Sequence, residues 1–511
     1  MKKIIYIILA VLIVSCSSDV DDSRDADTTP PVITLIGSAN ISVTQGDNYT
    51  DAGSTATDNV DGNLTSNITV QGSVNINELG DYPITYSVSD SSGNSASVSR
   101  LVSVVSDLIA PVITITGNST LDVPQYVIYD DSGATATDDV DGDLTASIQV
   151  SGVLDTNTIG TYTITYSVSD SAGNSSSANR TVNVIDDGNS VYLDQNGVTI
   201  KAKSWANVGD TGVINGVTYT IVDETMLRQT ISPNLVNQIC TTKVTNMENI
   251  ILDVMDVYSG AFAGDISTWD VSNVTTMRRM FWGDGFRDGF GFNQPIGDWD
   301  VSNVTDMREM FRGSLAFNQP IGDWDVSSVT DMTYMFQGAE VFNQPIGDWD
   351  VSSVTDMTFI LGNAYSFNQP LSNWDVSNVI NMRYMFHECY NFNQDISSWD
   401  VSNVINMHWM FNGAKSFNQP IGVWDVSNVT KMDGMFQVLD TSGSVGGEFN
   451  QDISTWDVSN VTKMDGMFNN QVKYNQNLSS WDVENVTSCG NFSIKAVDWT
   501  LPRPIFTNCT P

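Results

Sequence analysis

Apolar residues recur with a fixed period through the second half of the chain. The triplet Trp-Asp-Val begins at Trp269, Trp299, Trp324, Trp349, Trp374, Trp399, Trp424, Trp456 and Trp481. In each triplet Trp and Val share one face of an extended chain and Asp lies on the other, which predicts a short strand. The following Val-Thr-x-Met-x-x-Met-Phe stretch has apolar residues at i, i+3, i+6 and i+7, which predicts a short helical turn with Thr as its N-cap. The 25-residue period indicates a solenoid with one coil per repeat.

The first half of the chain has the two-residue alternation of β-strands. Stretches rich in Val, Ile, Thr and Tyr are separated by Gly, Asn and Asp turns at roughly 8–12-residue intervals, which is typical of β-sandwiches. Residues 31–106 and 111–186 carry this pattern twice, offset by 80 positions. The clearest predicted strands are Tyr82–Val88 and Tyr162–Val168.

The two copies also share specific motifs. TATDNVDGNLTSNITV starts at Thr55 and TATDDVDGDLTASIQV at Thr135, while ITYSVSDSSGNSAS starts at Ile84 and ITYSVSDSAGNSSS at Ile164. With their DxxDGxL motif and terminal SDSxGN hairpin, both copies resemble bacterial surface Ig-like modules. The resemblance implies Ig-like sandwiches that serve as spacers and hold a distal domain away from the surface.

The repeats have a resemblance of their own. One unit, from Trp299, reads WDVSNVTDMREMFRGSLAFNQPIGD. It resembles the repeat of BspA-like leucine-rich-repeat surface proteins, with Met, Phe and Trp standing where Leu would stand, over residues 240–511. That resemblance implies adhesion and surface interaction. The residues themselves predict that the repeated Trp lies in the core, and that the Asn after each Phe bonds backbone amides left unpaired by its turn.

The fold class predicted for the chain is therefore mostly β and multidomain, with two Ig-like β-sandwiches followed by a leucine-rich-repeat-like solenoid of short strands and short helical turns. Between these parts, the turns Asn196-Gly197 and Asn215-Gly216 and a helix over 223–237 predict a small capping unit. The predicted segments are a lipoprotein signal peptide at 1–15, an acidic flexible tether at 16–30, Ig-like domains at 31–106 and 107–187, a β-plus-helix N-terminal cap at 188–239, the nine-coil solenoid at 240–488 and a C-terminal cap at 489–511.

The N-terminus predicts export and anchoring. Lys2 and Lys3 precede an apolar run of 11 residues, Ile4–Val14, which has the length of a signal peptide rather than a membrane span. The run ends in Ile-Val-Ser-Cys, which resembles a bacterial lipobox and implies that Cys16 becomes the lipidated first residue; ordinary cleavage beside a chance Cys is the alternative. The acidic residues after Cys16 resemble sorting signals of lipoproteins on the exterior of some Gram-negative bacteria. We therefore expect a lipid-anchored protein of the outer membrane or cell surface.

Charge and composition narrow the classes of function. The formal net charge of −39 argues against nucleic acid or an anionic membrane surface as a partner. No apolar run after Cys16 is long enough to span a membrane, so we expect the lipid to be the only membrane attachment. The chain has only two histidines, His387 and His408, and no nucleophile elbow, P-loop or paired carboxylates stand out. We expect a binding protein with no cofactor rather than an enzyme.

Two sets of residues are candidates for a metal site and a disulfide. Asp138, Asp141 and Asp143 could hold calcium through carboxylate oxygens, although an Asp-Gly turn explains the same residues. Cys489 and Cys509 flank the C-terminal cap, where an oxidising compartment favours a disulfide between them. Cys389 stands where another coil has Ala339, which predicts a buried thiol.

The candidate ligand-binding residues lie between the two Met positions of the coils. The second position there is aromatic in four successive coils, at Tyr334, Phe359, Tyr384 and Trp409. Arg383 and His408 precede the last two. Stacked coils would place these rings in one row, which suits sugar stacking or a protein hot spot; alternatively, the rings pack on one another and stiffen the coils.

The function expected from these patterns is a lipid-anchored surface adhesion protein whose Ig-like spacers present the repeats to a protein or extracellular-matrix ligand. The alternative is a glycan-binding component of an outer-surface polysaccharide uptake system.

Two coils are longer than the rest, and their extra residues, within Trp282–Gly291 and Gln437–Glu448, are predicted to form exposed loops on one side.

Overall fold

A computed structural model describes residues 26–230, 235–250, 264–283, 291–438 and 446–511. The signal peptide, Cys16 and most of the two long-coil insertions lie outside these residues. By internal contacts the chain divides into two units. One comprises the residues up to Leu121 with Asp130–Leu154 and Thr161–Asn183; the other comprises Asp122–Tyr129, Asp155–Gly160 and Val184–Pro511.

Each Ig-like region contains seven strands in two sheets. The first has β1 (Val32–Leu35), β2 (Asn40–Thr44), β3 (Ser54–Asp58), β4 (Gly62–Asn63), β5 (Thr69–Gln71), β6 (Gly80–Ser89) and β7 (Ser95–Val105), in the orders β1-β3-β4 and β2-β7-β6-β5. The second has β8 (Val112–Ile115), β9 (Thr120–Pro124), β10 (Ala134–Asp138), β11 (Gly142–Asp143), β12 (Gln149–Ser151), β13 (Gly160–Ser169) and β14 (Ser175–Ile185), in the orders β11-β10-β8 and β12-β13-β14-β9. The two predicted strands lie within β6 and β13, which confirms them. Thr65–Asn67 and Thr145–Ser147 are short 3₁₀ helices.

Each of these domains is built around one buried arginine. Arg100 is fully buried, forms an ion pair with Asp51 and donates to the backbone oxygens of Ser38, Ile36 and Gly53. In the second copy Arg180 pairs with Asp131 in the same way. Because a buried charge is tolerated only when it is paired and hydrogen-bonded, these contacts account for both basic residues of residues 31–187.

The capping unit has both predicted hairpins, but its described helix ends at Thr230 and is shorter than the predicted 223–237. β15 (Val191–Leu193) pairs with β16 (Ile200–Ala202), and β17 (Thr211–Ile214) pairs with β18 (Val217–Ile221) around Asn215-Gly216. Helix α1 (Glu224–Thr230) begins where Asp223 accepts the amide of Met226, and is followed by a 3₁₀ helix (Val236–Gln238) and β19 (Ile239–Cys240). Leu227 and Val236 belong to the same apolar core as the repeats.

The repeats are chains of turns. In the coil from Ile321, hydrogen bonds between residues i and i+3 close turns at 321–324, 326–329, 332–335, 336–339 and 339–342. The apolar residues that begin and end these turns are buried. Successive coils are joined by backbone bonds between residues 24 apart, such as Phe336 N–H to Ile360 O at 2.9 Å. Each coil therefore closes its core by repeated turns and pairs its backbone with the next coil.

This construction corrects the predicted strand and helical turn. The parallel bridges between coils lie at Asp306, Asp331 and their equivalents, inside the stretch predicted to be helical. The Trp-Asp-Val triplet is not a strand, because its Asp accepts an amide two residues on, as Asp350 does from Ser352 at 3.0 Å, and so starts a turn. Within the described residues of the repeats, the short segment Ile421–Val423 is the only helix.

Trp and Asn behave as predicted. The repeated Trp side chains are at most 5% exposed, and their Nε1 groups donate to a carbonyl of the preceding coil, as Trp349 does to Ile321 at 3.1 Å. Asn318 Oδ1 accepts the amide of Asn343 at 2.9 Å, and the same bond recurs along the array.

None of the described helices is long and apolar enough to cross a membrane.

Candidate ligand-binding strip

Four aromatic side chains form a continuous row on successive coils. The rings of Tyr334 and Phe359 stack with centroids 5.1 Å apart, and those of Phe359 and Tyr384 at 4.2 Å. Trp409 follows Tyr384 at 5.3 Å, tilted by 59°. All four are half-buried. We call this row the aromatic strip; the rings both pack on one another and keep part of their surface exposed.

The backbone under the strip is left-handed. All four residues have φ between 55° and 61°, a region that costs a non-glycine residue roughly 1–2 kcal/mol. In the next two coils the same position is Gly434 and Gly466, with φ of 63° and 60°. Glycine is thus sufficient for the fold at this position, so the rings are not required by the coil.

Cationic groups lie beside the rings. Arg383 Cζ is 4.9 Å from the centroid of Tyr384, and Arg312 Cζ is 5.3 Å from that of Tyr334. Arg383 is exposed. Because stacked neighbours and guanidinium groups already occupy ring faces, the strip presents mainly ring edges and positive charge.

Both histidines of the chain contact the strip. His408 Nε2 is 3.2 Å from Tyr384 Oη, and its Nδ1 contacts a carboxylate oxygen of Asp433. His387 packs edge-on against Phe359 and Tyr384, with centroids 5.9 and 5.3 Å away. Burial lowers the pKa of His387, although the nearby Glu388 carboxylate opposes the shift.

The structure therefore brings together all six candidate ligand-binding residues, and adds three that the sequence analysis did not name: Arg312, His387 and Asp433. Asp433 stands 25 residues after His408, so the repeat spacing alone could have found it. Arg312 and His387 reach the strip from turns outside the aligned position, and no sequence signal marked them.

The same position in the preceding coils carries charge instead of rings. Glu309 is 5% exposed and pairs with Arg279 and Arg312, both at 2.8 Å. Burial alone would raise the pKa of Glu309, but the two arginines outweigh it and lower the pKa. The ion pairs continue the line of the strip toward the N-terminal coils.

A groove of about 780 Å³ lies over other positions of the same coils. Its lining includes Thr330, Thr355, Ile380 and Ile405. Thr is the usual residue at this repeat position, but Ile380 and Ile405 replace it and are 47% and 45% exposed. The groove is therefore more apolar than the repeat requires.

The predicted calcium residues do not come together as a set. Asp138 lies with Asp107 and Asp139 instead. Asp141 accepts hydrogen bonds from the backbone and hydroxyl of Ser171, and Asp143 accepts the amide of Thr145. Asp143 thus forms a local turn, whereas Asp141 connects its loop to Ser171, 30 residues further along the chain.

The cysteines fall into three groups. Cys489 and Cys509 are joined in a disulfide at the C-terminal end. Cys389 is fully buried and donates to Leu361 O at 2.9 Å, and Cys240 is also buried and free. Cys16 lies outside the described residues.

Comparison with known proteins identifies the first half. The family model described as bacterial surface protein, Ig-like domain, matches residues 33–104 and 113–184. This confirms the two Ig-like domains and indicates a cell-surface protein.

Individual relatives match only in part. An uncharacterized 81.3 kDa protein of Acholeplasma phage L2 is 34% identical over 117 residues, which is 22% of this chain and 16% of that protein. Among solved structures, the M60 catalytic domain with CBM51 domains from Clostridium perfringens ZmpB is 16% identical with a TM-score of 0.20, over 36% of this chain and 32% of that one. The lipoprotein BT2262 from Bacteroides thetaiotaomicron is 15% identical with a TM-score of 0.15, over 30% of this chain and 98% of that one. At these TM-scores neither structure carries an argument about this chain.

The repeats match a second family model. Five overlapping matches cover 224–344, 254–371, 283–394, 337–446 and 444–500. Because together they span more than half of the chain, it belongs to the family described as Mycoplasma protein of unknown function, DUF285.

Proposed function

We propose that the protein is a lipid-anchored surface adhesin whose repeats bind a protein ligand through the aromatic strip. Cys16 would carry the lipid, and the Ig-like domains would act as spacers. The protein would bind its ligand without catalysing a reaction, and nucleic acid would not be a partner.

The single observation that supports the strip is that four successive coils place aromatic rings at one left-handed position, where Gly434 and Gly466 serve the fold without strain. Arg279 and Glu309 have the same backbone conformation, with φ of 55° and 57°, so the strain belongs to the repeat and the run of rings distinguishes the strip. Strained positions are enriched at functional sites. Stacking and the contact of Arg383 with Tyr384 offset part of the strain, while part of each ring stays exposed.

The arrangement favours a protein over a glycan. Sugars stack on exposed ring faces, whereas Phe359 lies between Tyr334 and Tyr384 with interplanar angles of 18° and 10°. Half-exposed aromatic groups beside an arginine have the composition of protein interface hot spots. An acidic or aromatic segment of a partner protein would complement Arg383.

The test uses the whole chain immobilised on beads and probed with purified fibronectin, laminin, type I collagen and a panel of polysaccharides. A variant with glycine at Tyr334, Phe359, Tyr384 and Trp409 removes the rings and relieves the left-handed backbone. We expect at least a tenfold loss of affinity for the protein bound, because truncating an aromatic hot spot costs about 2 kcal/mol or more.

The matched control is Ile380→Thr with Ile405→Thr, which restores the usual residue of the repeat in the groove on the same coils. It should bind like the parent. Equal binding by the glycine variant, with an unchanged thermal transition, would remove the strip from the proposal. Binding of a polysaccharide alone would replace the protein ligand by a glycan.

A further inference from the structure

Three aspartates converge in each Ig-like domain. One carboxylate oxygen from each of Asp107, Asp138 and Asp139 lies within 4.8 Å of the others, and the first domain groups Asp27, Asp58 and Asp90 in the same way. Asp27 and Asp107 occupy equivalent positions ahead of β1 and β8, 80 residues apart. Asp58 and Asp138 are equivalent in turn, since they end β3 and β10. Two members of each cluster are therefore equivalent, whereas the third differs: Asp90 corresponds to Asp170 of the second copy, and Asp139 stands where the first copy has Asn59.

Among the residues that the structure describes, no lysine or arginine forms an ion pair with these carboxylates. Residues 31–187 contain only Arg100 and Arg180 as basic residues, and both are engaged with other aspartates in the domain interiors. Three negative charges at this separation repel one another strongly.

Oxygens without partners point to a ligand in the cluster. Asp107 is only 7% exposed; its Oδ1 accepts the amide of Ile109, but its Oδ2 is buried and has no hydrogen-bond partner. Asp138 Oδ2 is buried and unpartnered as well, while Oδ1 accepts the amides of Val140 and Asp141. Buried acceptors are rarely left unpaired, so a bound cation is the partner that this arrangement lacks.

The first domain repeats this detail. Asp27 Oδ2 and Asp58 Oδ1 are buried and unpartnered, at positions equivalent to Asp107 and Asp138. The repetition in two copies of the domain argues against an accident of one loop.

The cluster is held in place by the SDSxGN hairpin. Asn174 Nδ2 donates to Asp107 O at 3.2 Å and to Asp170 Oδ2 at 2.8 Å. Asn94 Nδ2 makes the corresponding bonds to Asp27 O at 2.9 Å and Asp90 Oδ2 at 2.8 Å. These bonds attach the segment before each domain to the hairpin, so the carboxylates are positioned before any ion arrives.

The donor set selects the ion. Both clusters offer carboxylate oxygens without His or Cys, which suits a hard divalent cation. Calcium takes six to eight oxygens at 2.3–2.6 Å in irregular geometry, so oxygens on one ion lie within about 5 Å of each other, whereas magnesium needs near-ideal octahedral geometry. We propose that each Ig-like domain binds one Ca²⁺ through its cluster, at Asp27, Asp58 and Asp90 in the first and at Asp107, Asp138 and Asp139 in the second.

The test is equilibrium dialysis of the whole chain, stripped with EGTA, against radioactive calcium. We expect two ions per chain. Asp107→Asn with Asp138→Asn should leave one, Asp27→Asn with Asp58→Asn should also leave one, and the quadruple variant should leave none. The matched control, Asp141→Asn with Asp143→Asn, changes two aspartates of the same loop outside the cluster and should retain two.

Thermal unfolding separates ion binding from misfolding. Calcium should raise the transition temperature of the parent but not that of the quadruple variant. In EGTA the quadruple variant should be at least as stable as the parent, because it has lost like-charge repulsion. No calcium bound to the parent, or two ions bound to the quadruple variant, would overturn the proposal; equal displacement by magnesium at the same concentration would overturn the choice of calcium.

Discussion

Glu309 shows how one charged side chain is held at the left-handed position. Its carboxylate accepts from Arg279 and Arg312, each about a third exposed. Because these arginines lower its pKa despite burial, the ionised form stabilises the fold. That contribution is present above the unfolded pKa of about 4.5 and is lost as pH falls through the lowered folded pKa.

We predict that Glu309→Gln destabilises the repeats by about 1–2 kcal/mol at pH 7, which is below the cost for a fully buried pair because solvent screens the arginines. Denaturant unfolding at pH 7 and at pH 3 measures this. The difference between variant and parent should shrink at pH 3; an equal difference at both pH values would contradict the role of the charge.

His387 gives the stability of the protein a second pH dependence, which arises from burial of a neutral ring and not from an ion pair. Its Nδ1 is buried without a hydrogen-bond partner, and burial lowers its pKa below the usual 6.5. The folded state therefore favours the neutral ring. The free energy of unfolding decreases as pH falls from 6.5 toward the lowered pKa of His387 in the folded state, because the ring must then be kept neutral against protonation. We predict that His387→Gln reduces the loss of transition temperature between pH 7.5 and pH 5.5. An identical loss in the variant and the parent would show that His387 does not titrate in this way.

Side-chain hydrogen bonds of the repeated Asn connect each coil to the next one along the array. Asn343 accepts the amide of Asn368 at 2.9 Å through Oδ1, and the side chain of Gln369 also bonds Asn343. A substitution that removes the acceptor leaves a backbone amide unpaired at the turn.

We predict that Asn343→Ala destabilises the protein by about 1–3 kcal/mol, the cost of an unsatisfied amide. Asn343→Asp keeps an acceptor oxygen at the same place and should cost less. Chemical unfolding of both variants against the parent provides the measurement. Equal losses for Ala and Asp would mean that packing, and not the acceptor, makes the Asn ladder stabilising.

The elements of the repeats were only partly predictable from the sequence. The 25-residue spacing predicted one coil per repeat, and the shared face of Trp and Val in each triplet correctly predicted the burial of Trp349 and its equivalents. The triplet could not distinguish a strand from a turn, because Asp350 alternates with apolar neighbours in both. Its hydrogen bond with Ser352 depends on local backbone geometry that the pattern does not show. Gly434 and Gly466 at the aromatic position were the one available sign of left-handed backbone, since only glycine adopts it freely.

At the scale of the whole molecule, local repetition predicted more than distant contacts. The Ig-like domains were predictable because β6 and β13 carry the alternation in their own sequence. The ion pair between Arg100 and Asp51 joins residues 49 apart, and the cluster with Asp107 depends on a segment outside the repeated motif, so neither followed from local pattern.

The attachment of the protein to a membrane is proposed to depend on Cys16 alone. The apolar run Ile4–Val14 is shorter than the roughly 20 residues that span a bilayer, so it cannot replace a lipid after processing. The net charge of −39 opposes adsorption to anionic lipid once the lipid is lost.

We therefore predict that Cys16→Ala abolishes incorporation of labelled fatty acid and either moves the protein from the membrane fraction to the soluble fraction or blocks its maturation. The matched control is Cys240→Ala, which removes a buried thiol and should leave labelling and fractionation as in the parent. Labelling lost in both variants would place the cause in folding or export and not in the thiol of Cys16. A Cys16→Ala protein that is processed normally and remains in the membrane fraction would contradict the anchor, because neither the apolar run nor the acidic surface offers another means of attachment.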